Sequence, residues 1–236
     1  MRIINIERYK RSSAKFDKKW CDHWTKKNDF GGFFRWKLEI EAGNGHILDD
    51  DHRGETHDRL CEILPGWQTY RPNPSNVCLG FLKDSLRRVS NAYDQIRRHS
   101  LLEFDDIPDE PLRLIWHELG RAKENDGSRN EPGTYYIKAL SVPLMLIWGQ
   151  TPTFDSKVRR NFLKDFMLYP KYRFNDNRWS FEDWQRVMRE LQKDLENNAE
   201  VVDYFRRETL KRFGTDLIVP FGRFLDITYY YPSDDN

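Results

Sequence analysis

Apolar residues recur at helical spacing along most of the chain. From Ser75 to His99, the residues Val77, Phe81, Leu82, Leu86, Val89, Tyr93 and Ile96 fall on one face, with Lys83, Arg87, Arg88, Arg97 and Arg98 outside, which predicts a long amphipathic helix. The same period runs through Phe16, Trp20 and Trp24, through Leu112, Ile115, Trp116 and Leu119, and through Trp184, Val187, Met188 and Leu191. Pro65-Gly66 stops a helix over Thr56 to Leu64, Pro111 suits the first position of the next, and Gly214 closes one over Val201 to Phe213. Ser180 and Asp183 form a capping box. Residues 1–15 are basic and polar, and are expected as a lead-in arm. Phe34 to Glu41 alternates bulky and charged residues and predicts a short strand, with a helix as the alternative. Val219 to Asp226 predicts a short helix on the core, with Arg223 and Asp226 as a surface ion pair. The expectation is a mostly α, multi-helix fold with at most a small β element near residues 33–41. It is read as a single domain over 1–236. The polar stretch Lys123 to Gly133 divides it into lobes of about 1–125 and 133–236, with a cleft between them.

Charge changes this picture little in total and more in its distribution. Thirty-nine basic against 38 acidic residues leave a net charge of +1, which gives no global sign of a nucleic-acid partner. From Lys157 to Arg178, however, basic residues interleave with Phe162, Phe166, Tyr169, Tyr172 and Phe174. The acidic counterweights lie mainly in Asp49-Asp50-Asp51, Asp105-Asp106, Asp109-Glu110 and Asp234-Asp235. One phosphate-facing side and an ordinary solvated helix face both fit that segregation. Three cysteines without C-x-x-C spacing favour reduced thiols, a cytoplasmic setting and no iron–sulfur cluster. A mean hydropathy of −0.85 and no apolar run near the roughly 18 residues of a membrane span predict a protein without a membrane segment. The amino terminus has no secretory leader pattern.

The stretch with the most chemical content runs from Gly133 to Met167. Ile137 to Trp148 is strongly apolar, and Val158, Phe162 and Phe166 form a core-facing stripe beyond it. Asp155 stands between these two predicted helices, after a turn carrying Gly149, Thr151, Pro152 and Thr153. The second helix is expected to begin between Thr153 and Ser156, where a carboxylate accepts backbone N–H bonds and senses the helix dipole. Spacing alone leaves Asp155 as either a helix cap or a functional acid.

Lys138-Ala139-Leu140, the apolar helix, the proline-containing turn and Phe154-Asp155-Ser156-Lys157-Val158-Arg159-Arg160 resemble the catalytic segment of the helix-hairpin-helix DNA glycosylases. The likeness covers about a seventh of the chain. The family's Leu-Pro-Gly-x-Gly hairpin signature is absent, with Glu131-Pro132-Gly133-Thr134 in its place. The resemblance implies that the protein excises a modified or damaged base from double-stranded DNA to leave an abasic site, acting as a monomer without cofactor or metal. Its narrower form implies the anti-phage members that act on glucosylated hydroxymethylcytosine. Asp155 would stabilise the sugar cation, and Lys138, seventeen residues earlier, would partner it or attack as a Schiff-base nucleophile. Tyr135, Tyr136 and Trp148 are the candidates for a base pocket, with ordinary core aromatics as the alternative. Lys157, Arg159, Arg160 and Lys164 are the candidates for phosphate contact.

Two other functions stay open. One is a noncatalytic DNA-binding or defence protein with a glycosylase-like fold. The other is a metal-dependent nuclease using the acidic, histidine-bearing stretch from Asp49 to Asp58.

Overall fold

The computed structural model describes residues 4–20, 30–67, 76–124, 133–166 and 177–232. Its elements in chain order are α1 (Ile6–Trp20), α2 (Phe30–Ala42), α3 (Arg53–Ile63), α4 (Asn76–Ile96), a 3-10 helix (Leu101–Asp106), α5 (Asp109–Glu124) and β1 (Thr134–Tyr136), followed by α6 (Ile137–Trp148), α7 (Ser156–Asp165), β2 (Arg178–Ser180), α8 (Phe181–Glu196), α9 (Ala199–Phe213) and α10 (Phe221–Tyr230). The fold is mostly helical, with one two-stranded β element among the described residues. None of the described helices is long and apolar enough to cross a membrane.

Several local expectations are corrected. The amino-terminal arm is helical, because Arg8, Tyr9, Ser12, Ser13 and Phe16 repeat as a buried face. Residues 33–41 lie in α2 and form no strand. Phe30, Phe33, Phe34 and Lys37 are buried at i, i+3, i+4 and i+7, so the helical period overrides the apparent alternation. The antiparallel pair lies instead at Thr134↔Ser180, Tyr135↔Trp179 and Tyr136↔Arg178. Pro111 is the third residue of α5, since Asp109 and Glu110 already occupy its first turn. Phe81 is 38% exposed, while Arg97, expected outside, is buried and pairs with Asp94. The capping box of Ser180 and Asp183 opens α8 as expected, and Gly214 ends α9 at φ 75°. Most of the polar stretch between the proposed lobes, and the aromatic-basic residues 167–176, lie outside the described residues.

Two helices are enclosed almost all round. In α6 every residue from Ala139 to Trp148 is buried, and in α10 every residue from Phe221 to Tyr229. Helix α10 lies between α1 and α7. Tyr9 packs edge-on to Phe224, and Tyr229 packs against Phe162. Arg8 of α1 spans both neighbours, donating to the Thr228 carbonyl and pairing with Asp165 at the end of α7. Burial of such side chains supplies roughly 1.5–3 kcal/mol each before the entropy of ordering them. The remaining helices complete the shell, α4 along α5 and α8 against α9 and the 3-10 helix.

Candidate functional site

The turn between α6 and α7 is held from several sides. Gly149 ends α6 at φ 85°, a conformation that suits a residue without Cβ. Gln150 is wholly buried; its carbonyl oxygen accepts from Leu101 N at 2.8 Å and its amide donates to the Val219 carbonyl at 2.9 Å. Trp184 donates its indole N–H to the Thr151 hydroxyl at 3.2 Å. The backbone of Gly222 lies so close to Thr151 that a side chain there would overlap the Thr151 peptide. Ser141 donates to the Thr153 carbonyl. Residues 151–154 are therefore buried although they form no regular structure.

Phe154, the last residue before Asp155, has φ 45°. A bulky side chain in this left-handed region is strained by about 1–3 kcal/mol and persists only where its surroundings fix it. Here the Phe154 ring packs against Phe162 and Trp179, with centroids at 5.9 and 5.0 Å, and its carbonyl accepts from Arg159 at 3.3 Å.

Asp155 then emerges half-buried as the N-cap of α7. Its Oδ1 accepts from Lys157 N at 2.8 Å and Val158 N at 2.9 Å. Oδ2 accepts no hydrogen bond among the described residues, which leaves one carboxylate oxygen for a ligand.

A second carboxylate lies behind the first. Asp226 of α10 is buried, and its Oδ1 accepts from both the Thr153 hydroxyl and the Thr153 backbone N–H. Arg223 donates to its Oδ2 at 2.9 Å. This pair is not the surface pair expected: the side chains of Arg223 and Asp226 are 1% and 3% exposed. Burial raises the Asp226 carboxyl from 3.8 to about 6; Arg223 opposes the rise, the nearby charge of Asp155 adds to it, and the Thr153 bonds oppose it. Phe16, Phe30 and Trp67 surround the Arg223 guanidinium at 5.3, 5.6 and 4.9 Å. Aromatic faces offer such a cation a partial replacement for water.

The expected site residues divide. Lys138 is the second residue of α6, half-buried, one turn ahead of Ser141 and on the same face. Since Ser141 touches Thr153, that face of α6 is directed at the turn carrying Asp155. Lys157, Arg160 and Lys164 are exposed at i, i+3 and i+7 along α7. Arg159 is corrected: it is 5% exposed and serves the Phe154 carbonyl. Trp148 is also corrected, being wholly buried, with its indole N–H shared between the carbonyls of Ile96 and His99 at 3.1 and 3.2 Å. Tyr135 is likewise buried, packed against Gly120 of α5 with its hydroxyl 3.0 Å from His117 Nδ1. Of the three aromatics, Tyr136 alone keeps partial exposure, with the Arg178 guanidinium over its ring at 4.3 Å.

The stretch from Asp49 to Asp58 serves local structure. Asp49 accepts from the backbone of His46 and His52 and contacts the His52 ring at 2.7 Å, which fixes the entry to α3. No three His, Cys, Asp or Glu side chains converge in ligand geometry among the described residues.

Residues the sequence reading missed are Thr153, Asp226, Arg223 and the strained Phe154. A usable signal existed for one pair. Arg223 and Asp226 sit within Phe221, Phe224, Leu225 and Ile227, and a charge pair in so apolar a helix belongs inside the protein. No family model matches this chain, and neither a curated protein nor a solved structure matches it.

Proposed function

We propose that the protein is a DNA glycosylase in which Asp155 stabilises the sugar cation formed as a modified base departs. The observation that carries this reading is the presentation of Asp155. Two backbone N–H groups hold Oδ1, Oδ2 accepts no bond among the described residues, and the supporting turn is buried and strained at Phe154. Preorganised charge of this kind is worth most where charge develops in the transition state.

When the N-glycosidic bond breaks, its electron pair leaves with the base and C1′ becomes positive. A carboxylate beside C1′ lowers the energy of that cation and orients a water for attack. Water supplies hydroxide to C1′ and a proton that ends on the departed base, leaving an abasic site. By the resemblance, Lys138, one turn ahead of Ser141 on α6, is assigned as the electrostatic partner of Asp155; no bond or ion pair joins the two among the described residues. Extrusion of the target nucleotide requires phosphate anchors. Lys157, Arg160 and Lys164 supply them beside the acid.

Incubation with duplexes carrying unmodified, alkylated, oxidised or glucosyl-hydroxymethylated bases tests the reading. Abasic sites on one modified duplex, insensitive to chelator and lost in Asp155→Asn, are expected. Absence of product on every duplex overturns it. The glucosylated duplex also tests the proposed role against phage DNA.

One observation favours a second reading, a DNA-binding protein without chemistry. The two bonds to Asp155 Oδ1 satisfy a helix start in any protein. That reading expects binding to survive Asp155→Asn with no abasic product from either protein.

A further inference from the structure

Beyond the acid, a second feature is built from three separate helices. Tyr230 closes α10, and Tyr231 follows it. Their rings stand edge to face with centroids 5.2 Å apart. Lys157, at the start of α7, lies over the Tyr230 ring at 4.6 Å and within 3.3 Å of its hydroxyl. Lys15 of α1 lies over the Tyr231 ring at 5.8 Å, and the Tyr231 hydroxyl donates to the Lys15 carbonyl at 3.5 Å. Phe16 buttresses Tyr230 from below at 5.1 Å. The four side chains Lys15, Tyr231, Tyr230 and Lys157 thus form a continuous row, half-exposed at its rings and exposed at its ammonium groups.

The row continues into the cationic stripe of α7. Arg160 and Lys164 follow Lys157 on the same face, roughly 4.5 and 10.5 Å further along the axis at 1.5 Å per residue. Arg11 is exposed one turn before Lys15 on α1. Among the described residues at the border, Asp165 pairs with Arg8, and Asp155 is capped at Oδ1 and keeps Oδ2 open. An alternation of flat rings and flexible cations has a definite complement, a chain with a negative charge at each unit and a planar group between charges. Single-stranded nucleic acid has that form.

We propose that Lys15, Tyr230, Tyr231 and Lys157 form a platform that binds unpaired DNA, with bases stacked on the tyrosines and phosphates on the flanking lysines. The inference deepens the glycosylase reading and shares with it only the partner, DNA. Such a platform receives nucleotides beside the acid at the start of α7. The rings then release their own lysines to phosphate, so the cation–π contacts of the unbound protein mark the positions that DNA takes up.

Binding of a fluorescein-labelled single strand and of its duplex, both with ordinary bases only, is measured by anisotropy across a salt series. No excision takes part, so the result is independent of catalysis. Tyr230→Ala and Tyr231→Ala are each expected to weaken single-strand binding about five- to a hundredfold, the range for loss of one stacked base. Tyr231→Phe keeps the ring and is expected to bind as the unaltered protein does. Lys15→Gln and Lys157→Gln are expected each to lower the slope of log affinity against log salt by about 0.7 for a single strand. Lys83→Gln, on an exposed position of α4, serves as the control. Thermal melting of each variant separates misfolding from lost contact, and the lysine variants keep the test decisive if a tyrosine variant unfolds. Unchanged binding in the tyrosine and lysine variants overturns the proposal. So does equal weakening by Tyr231→Phe and Tyr231→Ala, or tighter binding to anionic vesicles that is indifferent to both tyrosines. An abasic-site assay that fails while these variants lose DNA binding leaves the platform standing and removes the glycosylase.

Discussion

The Thr153 hydroxyl donates to the buried carboxylate of Asp226, 73 residues further along the chain. Thr153 lies two residues before Asp155, so the last helix of the fold holds the turn that presents the candidate acid. Thr153→Val removes the hydroxyl and keeps the shape. It is expected to destabilise the protein by about 1–3 kcal/mol, as a buried acceptor loses one donor. Asp226→Leu removes the carboxylate paired with the buried Arg223 and is expected to cost about 3–5 kcal/mol. The double change Arg223→Met with Asp226→Leu is expected to cost less than Asp226→Leu alone. Urea unfolding of the three proteins checks the order, and a double change that costs as much as the single one contradicts it.

Stability should depend on pH through the same carboxyl. The folded protein raises Asp226 from 3.8 to about 6, chiefly through burial. The folded state therefore holds this proton more tightly than the unfolded chain. The stabilisation is fully present below about pH 4 and is lost as pH rises through about 6. Relative to Asp226→Asn, which does not titrate, the unaltered protein is expected to lose on the order of 3 kcal/mol across that window. Denaturant midpoints at several pH values measure it, and a difference that stays flat from pH 4 to 7 contradicts the assignment.

Substitution at position 155 separates capping from chemistry. Asparagine caps a helix nearly as well as aspartate, whereas alanine costs about 0.5–2 kcal/mol. Asp155→Asn is expected to melt within a few degrees of the unaltered protein and to make no abasic product. Asp155→Ala is expected to lose both stability and product. Parallel melting and abasic-site measurements on the two variants decide whether the carboxylate charge has a use beyond the cap.

Two close approaches should tolerate no added carbon. A Cβ at Gly120 would overlap the Tyr135 ring, and one at Gly222 would overlap the Thr151 backbone. Gly120→Ala is expected to cost about 1–3 kcal/mol by overpacking. Much of that loss should return in the double variant with Tyr135→Ala, because the ring is what the new methyl meets. Gly222→Ala has a backbone in the way, so no side-chain change is expected to relieve it. A double-mutant cycle measured by thermal unfolding tests the contrast.

Trp148 should matter to stability and not to specificity. Its indole N–H serves two backbone carbonyls inside the core. Trp148→Phe is expected to cost about 1–3 kcal/mol through the lost donor and volume. The preference among modified duplexes is expected to stay the same. A changed preference would return Trp148 to the base pocket.

Periodicity made helices such as the long α4 legible, because a buried stripe at 3.6 residues leaves a plain mark on the chain, while α6 showed only as a continuous apolar run. The same rule misled at residues 33–41. There four large side chains of α2 fall close together, and a short window cannot separate the two periods. Asp155 was legible as a helix start because capping is a local property, set by a carboxylate and the N–H groups two and three residues on. Trp148, Tyr135 and Arg159 were misassigned because chemical type says which contacts a side chain can make and not on which side of a helix they lie.

The sequence by itself determined the helical class, the caps at Asp155, Ser180 and Gly214, and so the presence of an acid at the start of α7, since each depends on residues within a turn or two of one another. Only the tertiary structure decided that Thr153 meets Asp226, that Phe154 is held at positive φ, and that α1, α7 and α10 bring two lysines and two tyrosines into one row. The Thr153–Asp226 bond and the lysine–tyrosine contacts join residues more than seventy positions apart, and Phe154 is held by Phe162 and Trp179 further along the chain. They exist because burying α10 between its neighbours removes more apolar surface from water than any local preference can offset.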